Sequence, residues 1–337
     1  MKIALDNFLL YLPQKLSVDA AMEEHSNLIS HLFENAPKPI KHITNHLKGA
    51  SGKNVRASLL FAAAVDEDEL VPKDTVLAAV AVELFHLATL IHDDIIDEAD
   101  YRRGIPSVHV QFSKKEAVIC GDYLLCIALS TVSRIYEPYK DFIHKFSAAV
   151  EGVCLGELRQ HANNFNTDIT FYEYLRTIKG KTAALFHVAA YSGALIGSAP
   201  DHEVQLIGKF GTYIGMLFQI LDDVKDYIMD EKEALKPTQS DLNSGVINLP
   251  LLMVFLKDSN LRKRTKQALG NPIEVAALIN NVRKSGGVSD SIGIAKKYIK
   301  KSQNILNKIT GSKKTKELER LLLMQIEMTE KLERKVL

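Results

Sequence analysis

Two clusters of aspartate in this chain have the same spacing, and each ends a long apolar stretch of sequence. The first consists of Asp93, Asp94 and Asp97 and the second of Asp222, Asp223 and Asp226, so both read DDxxD. On a helix, residues four positions apart share a face, which places the first and last aspartate of each cluster side by side. Such carboxylates repel one another unless a cation lies between them. Oxygen ligands of this kind suit Mg²⁺, which binds one or two carboxylates together with substrate phosphate oxygens.

One DDxxD motif alone would be a weak indication of function, because helix ends in contact with solvent often carry acids. Two copies that each close an apolar segment are harder to explain by structure alone. Placing unpaired charge in a protein interior costs on the order of several kcal/mol per ion. The pair of motifs therefore predicts a metal site that handles an anionic substrate.

Basic residues near the first motif point to the same chemistry. Lys53 and Arg56 stand where a helix is predicted to begin, and Arg102 and Arg103 follow Asp97 within a few residues. A helix N-terminus attracts anions, and the guanidinium group offers paired donors to phosphate oxygens. Either basic pair alone would be typical of a solvated surface. Beside the acids, they favour recognition of a metal-bridged diphosphate.

The elements that must carry these residues are predicted to be helices, since apolar residues recur with helical period and alternating strand patterns are hard to find. Helical patterns cover 18–33, 54–66, 72–98, 113–136, 139–163, 180–197, 202–229, 246–257, 272–284, 288–309 and 314–335. No Ser/Gly/Pro-rich linker separates them. We therefore predict an all-α chain with a single helical domain over residues 1–337. The segments 72–98 and 202–229 are apolar around their whole circumference and should be central.

Composition limits the remaining classes of function. The 337 residues are 46% hydrophobic and 25% charged with a formal net charge of +1, so no overall field favours a nucleic-acid partner. The cysteines at 120, 126 and 154 have neither a disulfide pattern nor a zinc-site spacing. The N-terminus lacks the basic and apolar regions of a secretory signal. The apolar stretch from Val76 to Ile91 contains polar residues and is shorter than a bilayer crossing. We expect a cytoplasmic protein.

Four blocks of sequence, taken together in order and spacing, resemble the trans-prenyltransferases, also called polyprenyl diphosphate synthases. They are LATLIHDDIIDEADYRRGIPSVH, ICGDYLL, YLRTIKGKTAALFHVAAYSGALIG and FQILDDVKDYIMDEKEALKPTQSDLNSGVINLPLL. The likeness runs in register from about residue 50 to about residue 255. It implies an isoprenoid synthase-like fold, a large helical bundle with a central cavity. It also implies an enzyme that condenses an allylic diphosphate with isopentenyl diphosphate.

The resemblance gives roles to individual residues. It implies three Mg²⁺ ions, held by Asp93 and Asp97 with Asp94 in support, and by Asp222 with Asp223 and Asp226 nearby. The implied ligands of isopentenyl diphosphate are Lys53, Arg56, His86 and Arg103. Those of the allylic substrate are Arg102, Lys181, Thr182, Gln219 and Lys236. The carbonyl of Thr182 and the amide oxygen of Gln219 would stabilise the allylic cation, and the released diphosphate would take the proton.

Three features of the sequence, compared with the family's usual pattern, bear on substrate and product specificity. Short-chain relatives often carry an aromatic residue four or five positions before the first aspartate, whereas this chain has Ala88 and Thr89 there. The small residues predict a deeper tunnel and a product longer than C20. The block SGKNVRA stands where GGKRLRP is frequent, and it keeps both ligand positions. Val246 occupies a position where many relatives have lysine, which suggests a differently balanced allylic site.

Other functions are compatible with parts of this pattern. A class I terpene cyclase shares the metal-triggered ionisation, but it has no second diphosphate for the basic residues to hold. A regulatory subunit would be expected to have lost acids, and all six are present. A catalytic subunit that needs a partner chain is equally compatible with the sequence. By analogy with the family we expect a homodimer. A long apolar product also suggests transient membrane contact. The Lys-rich segment 295–317 could assist it, although a solvated helix face is the more common explanation of such a segment.

Overall fold

The computed structural model describes residues 11–49, 52–135, 139–228, 242, 244–269 and 271–336, and most of them are helical. The α-helices are α1 (Val18–Glu34), α2 (Lys41–Leu47), α3 (Val55–Ala64), α4 (Asp74–Ile96), α5 (Val108–Gln111), α6 (Lys114–Arg134), α7 (Lys140–Ala162), α8 (Phe171–Ile178), α9 (Ala184–Ile196), α10 (Asp201–Ile228), α11 (Leu249–Phe255), α12 (Ser259–Ala268), α13 (Pro272–Lys284), α14 (Gly287–Leu306) and α15 (Ser312–Val336). A π-helix, Lys179–Ala183, joins α8 to α9. The strands are β1 (Lys15–Ser17), β2 (Leu70–Pro72), β3 (Tyr101–Arg102) and β4 (Ile105–Pro106). The all-α prediction is confirmed.

Side-chain caps fix the start of several helices. Ser17 accepts a hydrogen bond from the backbone N–H of Ala20 at the start of α1. Thr170 and Glu173 form a reciprocal capping box at the start of α8. Each cap satisfies a backbone N–H that has no partner within the first helical turn. The capping box matters for the site, because α8 leads directly into the π-helix.

Two short antiparallel strand pairs complete the described structure. β1 pairs with β2, and β3 pairs with β4. The second pair is closed by Arg103 and Gly104, whose φ values of 52° and 82° match the left-handed conformation of a two-residue hairpin turn. Runs of two or three residues are too short to show an alternating pattern, which is why the sequence did not predict them. The turn sets the position of two arginines.

The chain divides into two compact units. The first comprises Met1–Ser147, Val188–Lys209 and Ile309–Leu318, and the second Ala148–His187, Phe210–Lys308 and Glu319–Leu337. In the first unit α4 packs against α1, α3 and most extensively against α6, and every side chain from Thr75 to Val82 is buried. In the second unit α11 packs against α12, α13 and α14. The central position predicted for α4 is confirmed. The single domain over residues 1–337 stays a prediction.

Among the described helices, α4, α6 and α10 are long and apolar enough to cross a membrane, judged by length and composition alone. Of the most apolar 18-residue window in each, 67% is buried inside the protein in α4, 61% in α10 and 44% in α6. The apolar side chains of α4 and α10 therefore serve mainly to pack the protein. Helix α6 leaves more of its apolar surface exposed, including Val118, Ile119 and Leu129.

Candidate active site

The first acidic motif forms the last turn of α4, in the first unit. The backbone N–H of Asp97 donates to the carbonyl of Asp93 over 2.8 Å, so the helical spacing continues through the motif. The two side chains therefore start from the same face of the helix. Asp93 is half-buried and Asp97 is exposed, which leaves this face accessible to a ligand from solvent. Both residues have the placement expected of carboxylates that meet a hydrated cation.

Asp94 differs from its two neighbours because it is buried and paired. Only 3% of the residue is exposed, and its Oδ1 accepts a hydrogen bond from Arg102 Nε over 2.7 Å. A nitrogen at the tip of the same guanidinium also contacts this oxygen. The pair ties the β3–β4 hairpin to the end of α4. Since a guanidinium carries five N–H donors, Arg102 keeps donors for a further anion.

Positive charge gathers around His86, about two helical turns before Asp93. Burial lowers the pKa of His86 well below its ordinary value, and the charges of Arg56, Arg103 and Arg102 lower it further. His86 is therefore neutral at physiological pH and can both donate and accept a hydrogen bond. Burial also lowers the pKa of the Arg56 guanidinium to about 10, so that it keeps its charge at neutral pH. The guanidinium groups of Arg56, Arg102 and Arg103 thus lie close enough to act on one imidazole, and such a concentration of positive charge suits an anionic ligand.

Glu83 lies beside these basic residues, although the sequence analysis did not select it. It lies one turn before His86 on α4, and burial raises the pKa of its carboxyl, while the charges of Arg56 and Arg103 lower it. A carboxylate there offsets part of the repulsion between the two guanidiniums. The spacing Glu83–His86 on an otherwise apolar helix was the signal that could have identified it.

The second acidic motif lies near the end of α10, in the second unit, and its aspartates also differ from one another. Asp222 is half-buried, and Lys225 Nζ lies 3.7 Å from its Oδ1. Asp226 is 7% exposed and Asp223 only 4% exposed. Asp223 accepts hydrogen bonds at both oxygens, from Gln219 Nε2 at Oδ1, and from Tyr174 and the Leu249 backbone N–H at Oδ2. Asp223 is thus part of the motif and also links α8, α10 and α11 by hydrogen bonds.

The π-helix presents two further predicted residues in the second unit. Thr182 donates its hydroxyl proton to Gln219 Oε1 over 2.6 Å, and Lys181 Nζ lies 2.9 Å from Glu157 Oε1. A Cβ atom on Gly156 would come within 2.2 Å of the backbone nitrogen of Lys181, so α7 and the π-helix approach as closely as glycine allows. Single π-turns within helices occur often at functional sites. The sequence predicted a plain helix over 180–197 and did not show this turn.

Val246, at the position where related sequences often have lysine, lies on the same side of the second unit as Asp223. It is half-buried, and it lines a cavity of about 40 Å³ together with Gln219, Asp223 and Asn248. The substitution therefore puts a neutral, branched side chain next to a buried carboxylate. The cavity wall is otherwise rich in amide groups, since Gln160, Asn163 and Asn164 also contribute to it.

The structure thus brings most of the predicted residues together within each unit. Around His86 it gathers Arg56, Arg102 and Arg103; around Gln219 it gathers Thr182 and Asp223. Lys53 is exposed just before α3. Lys236 lies outside the described residues.

Within the described ranges, no three His, Cys, Asp or Glu side chains converge closely enough to form a metal site. A cation at either motif would therefore need further oxygen ligands, such as phosphate oxygens or water.

Comparison with known proteins gives consistent results over most of the chain. The family model described as polyprenyl synthetase matches residues 37–284. The sequence is 33% identical to component 2 of the heptaprenyl diphosphate synthase of Geobacillus stearothermophilus, over 86% of this chain and 88% of that protein. The fold matches the crystal structure of heptaprenyl diphosphate synthase from Staphylococcus aureus with a TM-score of 0.86 and 29% identity, covering 94% and 98% of the two chains. A decaprenyl diphosphate synthase from Rhodobacter capsulatus matches with a TM-score of 0.83 and 28% identity, covering 94% and 97%.

Proposed function

Because this chain belongs to the polyprenyl synthetase family and is a prenyltransferase, we propose that it extends an allylic prenyl diphosphate with isopentenyl diphosphate. The observation that supports this most directly is the basic cluster of Arg56 and Arg103 around His86, in addition to Arg102 beside Asp94. An enzyme that ionises one diphosphate needs a single anion site. A condensing enzyme must hold a second diphosphate, and this cluster supplies the charge for it.

The carboxylates fit Mg²⁺ as the cofactor. Asp93 and Asp97 offer oxygen ligands from one helix face that solvent reaches, and half-buried Asp222 offers another from the second motif. We propose that Asp93 and Asp97 bind Mg²⁺ at the first motif and Asp222 binds Mg²⁺ at the second, with three ions in all by analogy with the family. Bound Mg²⁺ would neutralise the negative charge that builds on the departing diphosphate. Asp94 and Asp223 are placed to hold other side chains, since protein donors engage Oδ1 of Asp94 and both oxygens of Asp223.

Substrate binding and stabilisation of the allylic cation would depend on the side chains of the site. Arg102 and Lys181, with Lys236, would bind the allylic diphosphate, while Lys53, Arg56, His86 and Arg103 would bind isopentenyl diphosphate. Ionisation of the allylic C–O bond leaves a cation that fixed dipoles of Thr182 and Gln219 would stabilise. The isopentenyl double bond attacks it, and a proton leaves to the released diphosphate. Exclusion of water protects the cation until the new bond forms.

We propose a product longer than C20. Two of the similar proteins are named as heptaprenyl and decaprenyl synthases, whose names denote chains of seven and ten prenyl units. In this chain Ala88 is 2% exposed and Thr89 half-buried, and both are small. Neither side chain is the aromatic ring that often closes the pocket in short-chain relatives.

We further propose that the enzyme acts as a cytoplasmic homodimer with transient membrane contact when the apolar product leaves. A second candidate is the catalytic subunit of a two-component synthase, which the name of the Geobacillus relative, component 2, favours. The exposed Val118, Ile119 and Leu129 on α6 give a partner of either kind an apolar surface.

The decisive test is incubation of the purified chain with farnesyl diphosphate, labelled isopentenyl diphosphate and Mg²⁺. We expect products longer than C20, and loss of at least 100-fold in rate for Asp93→Asn and for Asp222→Asn. Asp201→Asn, at the exposed start of α10, is the matched control and should retain activity.

Hydrocarbon formed from the allylic substrate alone would indicate a cyclase. Activity that requires an added partner chain would support the two-component candidate. Turnover that survives chelation of Mg²⁺ would contradict the proposed mechanism.

A further inference from the structure

Tyr174, which the sequence did not single out, ends in a hydrogen bond to the second acidic motif. Its hydroxyl donates to Asp223 Oδ2 over 2.7 Å, and the tyrosine is 4% exposed. The residue lies in the middle of α8, whose start is held by the capping box at Thr170. A buried hydroxyl bonded to a carboxylate forms a charge-assisted hydrogen bond, which is about twice as strong as a neutral one.

The bond from Tyr174 is one of three that determine how Asp223 is oriented. The backbone N–H of Leu249, at the start of α11, donates to the same oxygen over 3.1 Å. Gln219 Nε2 donates to the other oxygen over 2.9 Å. Asp223 therefore joins α8, α10 and α11. Both of its oxygens are engaged by protein donors, and rotation of the carboxylate would break at least two of these bonds.

A fixed Asp223 in turn fixes the side-chain amide of Gln219. With its nitrogen against the carboxylate, Gln219 directs its oxygen to the Thr182 hydroxyl 2.6 Å away. The opposite amide orientation would put oxygen against the carboxylate of Asp223, which is repulsive. The Thr182 proton is thereby committed to Gln219, and this bond holds Thr182, whose carbonyl is expected to stabilise the cation, beside the amide oxygen of Gln219. Every donor in this chain of bonds is aimed towards Asp223.

We propose that Tyr174 is a positioning residue: through Asp223 it holds Gln219 and Thr182 with their oxygens set to stabilise positive charge. The inference rests on the proposed prenyl transfer, in which these oxygens would lie near the allylic cation. Preorganised dipoles lower the barrier because they need no reorientation as charge develops. Asp223 then acts by orienting Gln219 rather than by binding the metal.

The donor and acceptor groups that face each other at positions 219 and 223 can be exchanged by mutation. Asp223→Asn alone places an amide N–H against Gln219 Nε2, and Gln219→Glu alone places two carboxylates together. In the double variant D223N/Q219E, the new amide would donate to the new carboxylate, and the latter would still accept from Thr182. The amide oxygen would still accept from Tyr174 and from Leu249. The net charge of the pair is unchanged.

The experiment measures kcat, KM and urea unfolding for the wild type, the two single variants and the double variant. We expect each single change to lower kcat at least tenfold, and the double variant to have a higher kcat than either single variant. The midpoint of unfolding should show the same recovery. A double variant no better than the singles, while the wild type is active, would overturn the inference alone. If the wild type transfers no prenyl group, the proposed function is wrong. The unfolding midpoints test the hydrogen bonds separately: no recovery in the double variant would show that Gln219 and Asp223 are not coupled as inferred.

Tyr174→Phe tests the hydroxyl itself, and Tyr227→Phe is the matched control. Tyr227 is also fully buried in the second unit, and its hydroxyl donates to Asn248 over 2.6 Å. We expect Tyr174→Phe to lower kcat about tenfold with an unchanged KM for isopentenyl diphosphate. Tyr227→Phe should lower the unfolding midpoint without changing kcat by more than about twofold. Equal losses of kcat in the two variants would show that Tyr174 has only a structural role.

Discussion

Arg102 Nε donates to the Oδ1 atom of Asp94 over 2.7 Å, at a carboxylate that is almost wholly buried at the end of α4. The partners lie eight residues apart, and the hairpin turn at Arg103 and Gly104 follows directly. The bond therefore sets the position of two predicted diphosphate ligands relative to Asp93. A motif that looks like three equivalent acids in sequence has, in the structure, one member that holds the basic residues in place.

Asp94→Asn should separate this positioning role from metal binding. The amide keeps the shape but loses the charge, which we expect to cost about 1–3 kcal/mol of unfolding free energy. KM for the allylic diphosphate should rise about tenfold through loss of the Arg102 anchor. Urea unfolding and steady-state kinetics measure the two effects. Glu98→Gln, which breaks an exposed pair with Lys114 nearby, should leave both unchanged. A loss of rate restored by added Mg²⁺ would instead assign Asp94 to the metal.

Thr89→Phe should shorten the product. Thr89 is half-buried four residues before Asp93, and its hydroxyl donates to the carbonyl of His86 over 2.8 Å. A phenyl ring there would occupy space that a growing chain needs, so we expect the main product to fall by at least one five-carbon unit. Chromatography of the product ladder measures this. Leu256→Phe, at an exposed position, is the control and should give the wild-type ladder. An unchanged ladder for Thr89→Phe would place the end of the tunnel elsewhere.

The long helices could be predicted from sequence because their apolar residues follow a clear period. The pattern over 72–98 corresponds to α4 at Asp74–Ile96, and that over 202–229 to α10 at Asp201–Ile228. Helices such as α2 and α8 were missed, since seven or eight residues hold too few turns to show a period. The π-turn depends on the approach of Gly156, a tertiary contact that no local pattern encodes.

For the candidate site, residue types were predictable and residue relationships were not. The DDxxD spacing indicates which carboxylates share a helix face, but it assigns Asp93 and Asp94 the same character. Their difference arises from Arg102, which comes from a separate hairpin. Likewise Tyr174 meets Asp223 across 49 positions of sequence. Long-range hydrogen bonds of this kind decide which acids are available to a ligand, and one sequence contains no signal for them.

Gly156→Ala should disturb the π-helix and with it the site. The new Cβ would lie 2.2 Å from the backbone nitrogen of Lys181, so backbone must shift rather than a flexible side chain. We expect about 1–3 kcal/mol of destabilisation and a clear loss of kcat, because Thr182 moves with the π-turn. Gly293→Ala is the matched control: nothing lies within 4 Å of its Cβ position on α14. That change should stabilise the protein by about 0.5–1 kcal/mol and keep full activity. Equal stability of the two variants would contradict the close approach.

His25 should make the protein lose stability in mild acid. The imidazole is fully buried on α1, where its ring packs edge-on against Phe61, and burial lowers its pKa from 6.5 to about 4. Below about pH 6.5 the unfolded chain takes up a proton at this site that the folded protein does not accept until about pH 4. Stability from this group is therefore complete above pH 6.5 and falls as the pH drops towards 4. The total loss amounts to about 3 kcal/mol.

His25→Leu should remove this dependence, because an apolar side chain of similar volume has no proton to bind. The free energy of unfolding of this variant, measured in urea at several pH values, should increase relative to that of the wild type as the pH falls from 6.5 to 4. The variant thus gains relative stability in this range. The difference should stay constant above pH 7. His144→Leu, at an exposed position on α7 in the same unit, is the matched control and should follow the wild-type pH curve. Parallel curves for His25→Leu and the wild type across this range would mean that His25 is protonated inside the folded protein.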